Sequence, residues 1–433
     1  MKKFFILIAF CAQAIAGLAQ TKYPGDKGWQ PGPPAFGAEI EKDVRIPMED
    51  GVGLDAKVAY PTSLATGKRA EETFPVLMMG YAPRAEASMG GNEGAEKHFA
   101  DFDKAFWAGG DPAYDGTFWQ DRIPLRWSRD IVENGIPVLQ WGGWQDLNET
   151  GAVRGYVAFQ NAVSGRPIDK PMQRGQKVSP RYQLIIGDWG HGLGMDIGVY
   201  LEWFDTWLKG KDTGLTNTAT PLHLYEAGSE RWVNLAAYPA VDTYTTWYLG
   251  SNESIARRMQ DTGESRLRWG KPEEKDGKLT FESAAITNGM TIAGPLSLQL
   301  YAKSSNTNME ILARLYDVAP DGTTTVITKG AMLGSLSKLD RQATWTDKNG
   351  KMAWPWPTLD KDVYLMPNEV QRFDMALEPI QYGLRPGHKL CLGTEHAKFG
   401  RQKRERFPIS RPRRPHRSAK EHPTRGYIYH SFR

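Results

Sequence analysis

The chain has 433 residues, 40% apolar and 24% charged, ordinary proportions for a soluble globular protein and length enough for two or three domains. Its formal charge is +4, but residues 398–433 carry twelve Lys/Arg against two Asp/Glu, a net of +10 that leaves −6 for the rest. The basic balance belongs to one segment, and it gives the folded body no reason to bind nucleic acid.

The first residues, MKKFFILIAFCAQAIAGLAQ, place Lys2 and Lys3 before an apolar run from Phe4 to Ala16, followed by small residues at Ala16, Gly17 and Ala19. That is the layout of a secretory signal peptide over residues 1–19, with an apolar run too short to span a bilayer. The expected location is outside the cytoplasm, secreted or periplasmic in a bacterial envelope, with no integral membrane segment after cleavage. Bulky Phe10 before Cys11 argues against a lipid-anchoring box. Removal of the signal leaves Cys391 as the one cysteine, so no intrachain disulfide can form.

A Pro/Gly-rich lead-in is followed by DVRIPMEDGVGLDAKVAYPT, whose alternation around Asp50–Gly51 predicts a β-hairpin. Three continuous apolar runs then read as buried central strands: FPVLMMGY (74–81), IPVLQWGGWQD (136–146) and YQLIIGDWGHG (182–192). TGAVRGYVAFQNA, between the last two, has helical spacing, so strands alternate with helices as in a parallel α/β sheet. YLEWFDTWLKGK sets Trp203, Phe204 and Trp207 on one helical face, read as a packing surface. From Pro221 onward short strands separated by turns such as Pro320-Asp321-Gly322 predict a β-sandwich or jelly roll. The expected fold class is α/β plus all-β: an α/β domain over 36–195, a connecting helix and linker over 196–220, and a jelly-roll domain over 221–433. The stretch 398–426 is Arg/Pro-rich, with little apolar periodicity, and is expected to be disordered.

In open α/β sheets ligands bind beyond the carboxyl ends of the strands, and Asp146 and His191 each follow such an end. An imidazole base needs a partner that sets its tautomer and stabilises the cation it becomes, and a carboxylate does both. The order Asp then His matches the last two members of an α/β-hydrolase triad. Asp188, three residues before His191, is the competing partner, but triad order and the strand-end position favour Asp146. Each residue alone would more readily be a polar loop residue; together they point to catalysis.

IPVLQWGGWQDLN and LIIGDWGHG resemble the GGWYD-like and GPWxHG-like segments of a hydrolase family. That family includes X-prolyl dipeptidyl aminopeptidases, cocaine esterase and α-amino-acid ester hydrolases. The resemblance extends over VRIPMEDGVGLDAKVAYP, YLEWFDTWLKG, PLHLYEAGSERWVN, TTWYLG, the stretch from Gly294 to Leu336 and YGLRPGHKLCLG, and so covers most of the chain. It implies that Asp146 is the triad acid and His191 the base. It also implies that the hydroxyl of Tyr81 helps a backbone N–H hold the oxyanion, although APR after Tyr81 departs from the family's pattern. No cofactor or metal is implied, and the partners are small ester or peptide substrates.

The nucleophile is missing. A triad serine sits in a G-x-S-x-G elbow between the first of these strands and the acid. The serines there are Ser88, in AEASMGG, and Ser128, in LRWSRD. Ser88 has Gly90 at the right offset but Glu86 where a small residue is needed, and Ser128 has no glycine near it, so both read as loop serines; Ser88 is the weak candidate. Against the family, the elbow strand, its helix and most of the cap between Tyr81 and Asp146 are absent. The resemblance therefore implies a secreted serine hydrolase, cleaving an acyl ester or an N-terminal X-Pro peptide through an acyl-enzyme, with activity impaired in this chain. The alternative is a non-catalytic jelly-roll binding protein or a degenerate gene copy.

Overall fold

The computed structural model describes residues 29, 32–48, 51, 53–74, 76, 93–191, 194–259, 263–268 and 275–395. The signal, Tyr81, Ser88 and the basic stretch 398–426 lie outside them. Of the strand expected over 74–81 only Phe74 and Val76 are described, and neither is in a strand. The described residues of Ala100–Met195 and Thr216–Arg433 form one compact unit, and those of Asp26–Phe99 and Asp196–Leu215 another.

The second unit contains the hairpin read from the sequence. Strand β1 (Phe36–Pro47) pairs antiparallel with β2 (Gly53–Ser63), and Ile46 faces Leu54. Gly51 closes the turn with φ 81°, a left-handed conformation that glycine adopts without strain, and its N–H donates to Met48 O at 3.0 Å. The same unit holds helix α5 (Ile197–Trp207, numbered in chain order), capped by the Asp196 carboxylate accepting the Gly198 N–H at 2.7 Å. Trp203 and Trp207 lie with ring centroids 5.7 Å apart on this helix, as the expected aromatic face requires.

The larger unit begins at Ala100, within helix α1 (Glu93–Trp107), and continues with the short helices α2 (Thr117–Gln120) and α3 (Ser128–Glu133). Its sheet is built on β3 (Val138–Gln145) and β4 (Tyr182–Gly190), which run parallel, and on β5 (Leu222–Glu226), parallel to β4, with β6 (Arg231–Leu235) antiparallel at the edge. The strands from Leu222 were read as the start of the all-β part. In the structure they extend the α/β sheet, because Leu222 and Leu224 present the same apolar face as Leu184 and Ile186 and close one core with them.

Helix α4 (Glu149–Val163) crosses from β3 to β4 and is buried almost all round from Val153 to Asn161. A polar residue at such depth must be hydrogen-bonded. Gln160 donates to the carbonyls of Ser179 and Tyr182 at 2.9 and 2.8 Å, and Asn161 to those of Pro167 and Lys170 at 2.9 and 2.7 Å. Arg154 lies over the faces of Trp345, Trp354 and Trp356, its guanidinium carbon 3.5 Å from the centroid of the last ring.

The C-terminal strands are β7 (Tyr248–Leu249), β8 (Ser254–Ala256), β9 (Lys278–Ser283), β10 (Met290–Ala302), β11 (Glu310–Val318), β12 (Thr324–Leu333), β13 (Trp345–Thr346), β14 (Met352–Trp354), β15 (Gln371–Leu384) and β16 (Lys389–Glu395). Six of them form a sheet in the order β12-β11-β16-β9-β8-β7, and β10 pairs with β15. Leu279 and Phe281, Leu298 and Leu300, Ile311 and Ala313, and Phe373 and Met375 fill a core between them at period two. The register of β10 and β15 slips between Gly294 and Leu296, opposite the extra residue at Glu378–Pro379. The apolar core side chains of β15 consequently change from odd (Phe373, Met375, Leu377) to even (Ile380, Tyr382, Leu384). The first set packs in the sandwich core. The second joins β4, β5 and α4 in the other core, so one strand serves both.

Candidate active site

Because β3 and β4 are parallel, their carboxyl ends meet at one edge of the sheet, with Gly143 opposite Gly187 and Gln145 opposite Gly190. Asp146 follows the first end and His191 the second. Glycine is needed at 143 because the Trp189 carbonyl oxygen approaches so closely that a Cβ there would overlap it. A register shift between Gly143 and Gln145 turns the chain out of the sheet, and the Asp146 N–H donates back to Gly143 O at 3.0 Å.

The Asp146 carboxylate is held on two sides. Oδ1 accepts the Asn148 N–H at 2.9 Å and lies 3.0 Å from His191 Nδ1. Asn148 is the N-cap residue of α4, so the acid sits where the helix begins. The two partners differ in exposure: the Asp146 side chain is 8% exposed and the His191 ring 65%. With the Nδ1 proton donated to the carboxylate, Nε2 carries the lone pair, which is the tautomer a general base needs. Asp188, the competing partner in the sequence, is an exposed residue of β4, and the ion pair of His191 is with Asp146.

Ser128 is fully buried at the start of α3, and its Oγ donates to Leu125 O at 2.7 Å. The hydroxyl is engaged inside its own turn, and the residue opens a helix where the sequence reads a loop. Cys391 is buried and free, and burial raises its thiol pKa, so it stays protonated at neutral pH.

Two further groups are not singled out as site candidates by the sequence. Glu149, in the first turn of α4, reads in sequence as an ordinary solvated first-turn acid. In the structure it is 1% exposed, and burial, with Glu378 nearby, pushes its carboxyl up to about 8. A second His–Asp pair joins His388 Nδ1 to Asp317 Oδ1 at 2.7 Å, and the Tyr382 hydroxyl donates to the other oxygen of Asp317 at 2.8 Å. Among the described residues no group of three or more His, Cys, Asp or Glu is placed to hold a metal ion.

Residues 213–393 match the family model of the X-Pro dipeptidyl-peptidase C-terminal non-catalytic domain. A candidate serine esterase of Mycobacterium bovis is 25% identical over 306 residues, covering 63% of this chain and 47% of its own. Cocaine esterase of a Rhodococcus species is 20% identical over 234 residues, covering 45% of this chain and 40% of its own. The chain thus spans about half the length of the curated relatives it matches. Among solved structures, a CocE/NonD family hydrolase of Staphylococcus aureus superposes with a TM-score of 0.53 at 15% identity, covering 74% of this chain and 56% of that one. An α-amino-acid ester hydrolase superposes with a TM-score of 0.51 at 16% identity, covering 78% and 60%. These likenesses establish the fold as α/β-hydrolase with a C-terminal β-rich part. Residues 213–393 thus match the C-terminal domain of the X-Pro dipeptidyl-peptidases, and the chain is similar in sequence to serine esterases and in fold to a CocE/NonD family hydrolase.

Proposed function

We propose that the chain carries the acid and base of a serine-hydrolase acyl-transfer site, built for an acyl ester or an N-terminal X-Pro peptide. The observation that carries this reading is the 3.0 Å contact between a nearly buried Asp146 and a largely exposed His191 at the ends of adjacent parallel strands. In the reaction His191 Nε2 takes the proton of the attacking hydroxyl as its oxygen bonds the carbonyl carbon. Asp146 stabilises the imidazolium so formed, and Nε2 then returns the proton to the leaving alcohol or amine. Water repeats the sequence to release the acid. Tyr81 stands in the same proposal as an oxyanion donor. So do export of the mature chain and a C-terminal jelly-roll domain, which starts beyond β6 because β5 and β6 belong to the α/β sheet.

No serine of this sequence sits in a G-x-S-x-G elbow, so the expected turnover is slight. Loss of the nucleophile alone removes most of the catalysis of such a site. The test pairs hydrolysis of activated acyl esters with labelling by a fluorophosphonate. The expected result is no covalent label and only residual hydrolysis, itself dependent on His191. Labelling at Ser88 would show that the nucleophile is present after all. A second reading, a ligand-binding role for the sandwich, draws on the match of residues 213–393 to a domain described as non-catalytic. Retention of a glycan or peptide by the intact chain, unaffected by His191→Ala, would favour it.

A further inference from the structure

The residues around His191 are arranged about a ring. The Trp189 indole lies against Gly187, before the histidine in sequence, and against Gly194, after it; a Cβ at either position would overlap the ring. Gly194 has φ 105°, a conformation that other residues rarely adopt. The carbonyl of the same tryptophan presses on Gly143, where a Cβ would also overlap, and Gly143 O in turn accepts the Asp146 N–H. One residue therefore touches both strand ends, the ring on the side of the base and the backbone on the side of the acid.

The ring is also fixed laterally. Trp141 of β3 lies with its centroid 6.4 Å away at 65°, and Trp232 of β6 at 6.1 Å and 62°. These edge-to-face contacts favour one orientation of the indole. A tryptophan that merely filled space would belong to a core. Trp189 is half-buried and belongs to neither apolar core, whereas Trp144, Trp345 and Trp354 do. Two glycines yielding to one half-buried ring is a costly arrangement, since each loses more backbone freedom on folding than any other residue.

We propose that Trp189 is a positioning residue for His191: its indole, seated between Gly187 and Gly194, sets the turn that brings Nδ1 to Asp146. The role deepens the reading of His191 as a base and rests on it for its meaning. Its test reads the tautomer and needs no turnover, so residual hydrolysis that proved independent of His191 would count against that reading and leave this one standing.

The experiment is nitrogen-15 NMR on the full chain labelled at histidine, which reads the ratio of Nδ1–H to Nε2–H tautomer at each ring. His388, paired with Asp317, serves as the internal reference for an intact fold. In Trp189→Ala the ratio at His191 should fall about tenfold, equivalent to about 1.4 kcal/mol, while that at His388 stays unchanged. Trp189→Phe should recover much of it, because a smaller ring still fills part of the seat. Gly187→Ala, which keeps the tryptophan but displaces its ring, should mimic Trp189→Ala. An unchanged His191 ratio in Trp189→Ala or Gly187→Ala would overturn the proposal. So would loss of the His388 reference in all three variants, since the ring would then hold the fold and not the histidine.

Discussion

The chain contains two His–Asp pairs, both resting on Nδ1 and a carboxylate oxygen, and their surroundings separate them. Asp146 and His191 meet at 3.0 Å at the carboxyl ends of parallel strands, with the imidazole 65% exposed. Asp317 and His388 meet at 2.7 Å between β11 and the turn before β16, with the imidazole 17% exposed. The second carboxylate also accepts the buried Tyr382 hydroxyl, so it ties β11 to β15 and to the turn before β16. The first presents a ring to the outside and spends its other contact on the backbone N–H of a helix cap. A histidine oriented by an acid is thus not diagnostic of a base; what sets the proposed base apart is a ring left open to the outside.

The comparison breaks if the sandwich pair is not structural. Asp317→Ala should strand the His388 Nδ1–H and the Tyr382 hydroxyl in a buried site. The expected cost is about 4 kcal/mol of unfolding free energy, read from the midpoint of urea unfolding. The tautomer of His191 should not change. A stable Asp317→Ala chain with a disordered His191 would invert the assignment of the two pairs.

The next effect concerns the acid beside the first pair. Glu149 has Asp146 and Glu378 as like charges and Lys329 as the opposing one, and burial dominates, raising its carboxyl from 4.5 to about 8. The folded state therefore favours the neutral form. Its contribution is complete below about pH 4.5 and is lost as pH rises through about 8, because the unfolded chain gives up this proton first. Glu149→Gln imitates the neutral acid and should flatten stability between those limits. At pH 8 it should exceed the parent by on the order of 3 kcal/mol in thermal or urea unfolding. Parallel pH profiles for the two proteins would mean that Glu149 is ionised in the fold.

Arg154 provides a smaller contrast. It stacks on Trp345, Trp354 and Trp356 and donates to Ala343 O at 3.1 Å, tying the helix that begins beside Asp146 to the β13–β14 hairpin. Burial lowers it to about 10. Arg154→Lys keeps the charge but loses the flat, weakly hydrated group that stacks, and should cost about 1.5 kcal/mol. An unaltered unfolding midpoint would show that the indoles bind charge and not shape.

How much of this was legible in the sequence depends on the range of each interaction. The hairpin turn at Gly51, the strands ending at Gln145 and Gly190, and helix α4 are local patterns, and the structure has them where the periodicity puts them. The His191–Asp146 contact was legible because two strand ends announce themselves and parallel pairing brings them together. The pairing of Leu222–Glu226 with β4 was not, since a short apolar run reads alike in a parallel sheet and a sandwich. His388 and Asp317 are 71 residues apart and neither segment names a partner for the other, so only the antiparallel register of β11 and β16 reveals them. Glu149 was hidden for another reason: its burial at a helix start and the charges of Glu378 and Lys329 that act on it come from segments distant in sequence.

The smallest change in stability should accompany the largest change at the proposed site. Asp146→Asn keeps the size of the side chain and leaves an oxygen that can accept the Asn148 N–H. Its partner His191 is mostly exposed and can turn to water, so the unfolding free energy should move by less than about 1 kcal/mol. The amide, however, offers a donor as well as an acceptor. It can satisfy Nδ1 without a proton on it and so stabilises the tautomer whose Nε2 bears hydrogen, which cannot act as a base. Histidine nitrogen-15 signals should show His191 passing from predominantly Nδ1–H to a mixture, with His388 unaltered. Any residual ester hydrolysis that requires His191 should fall with it. A stability loss as large as that of Asp317→Ala, with the tautomer intact, would place Asp146 among the residues that hold the fold and remove the ground for reading His191 as a base.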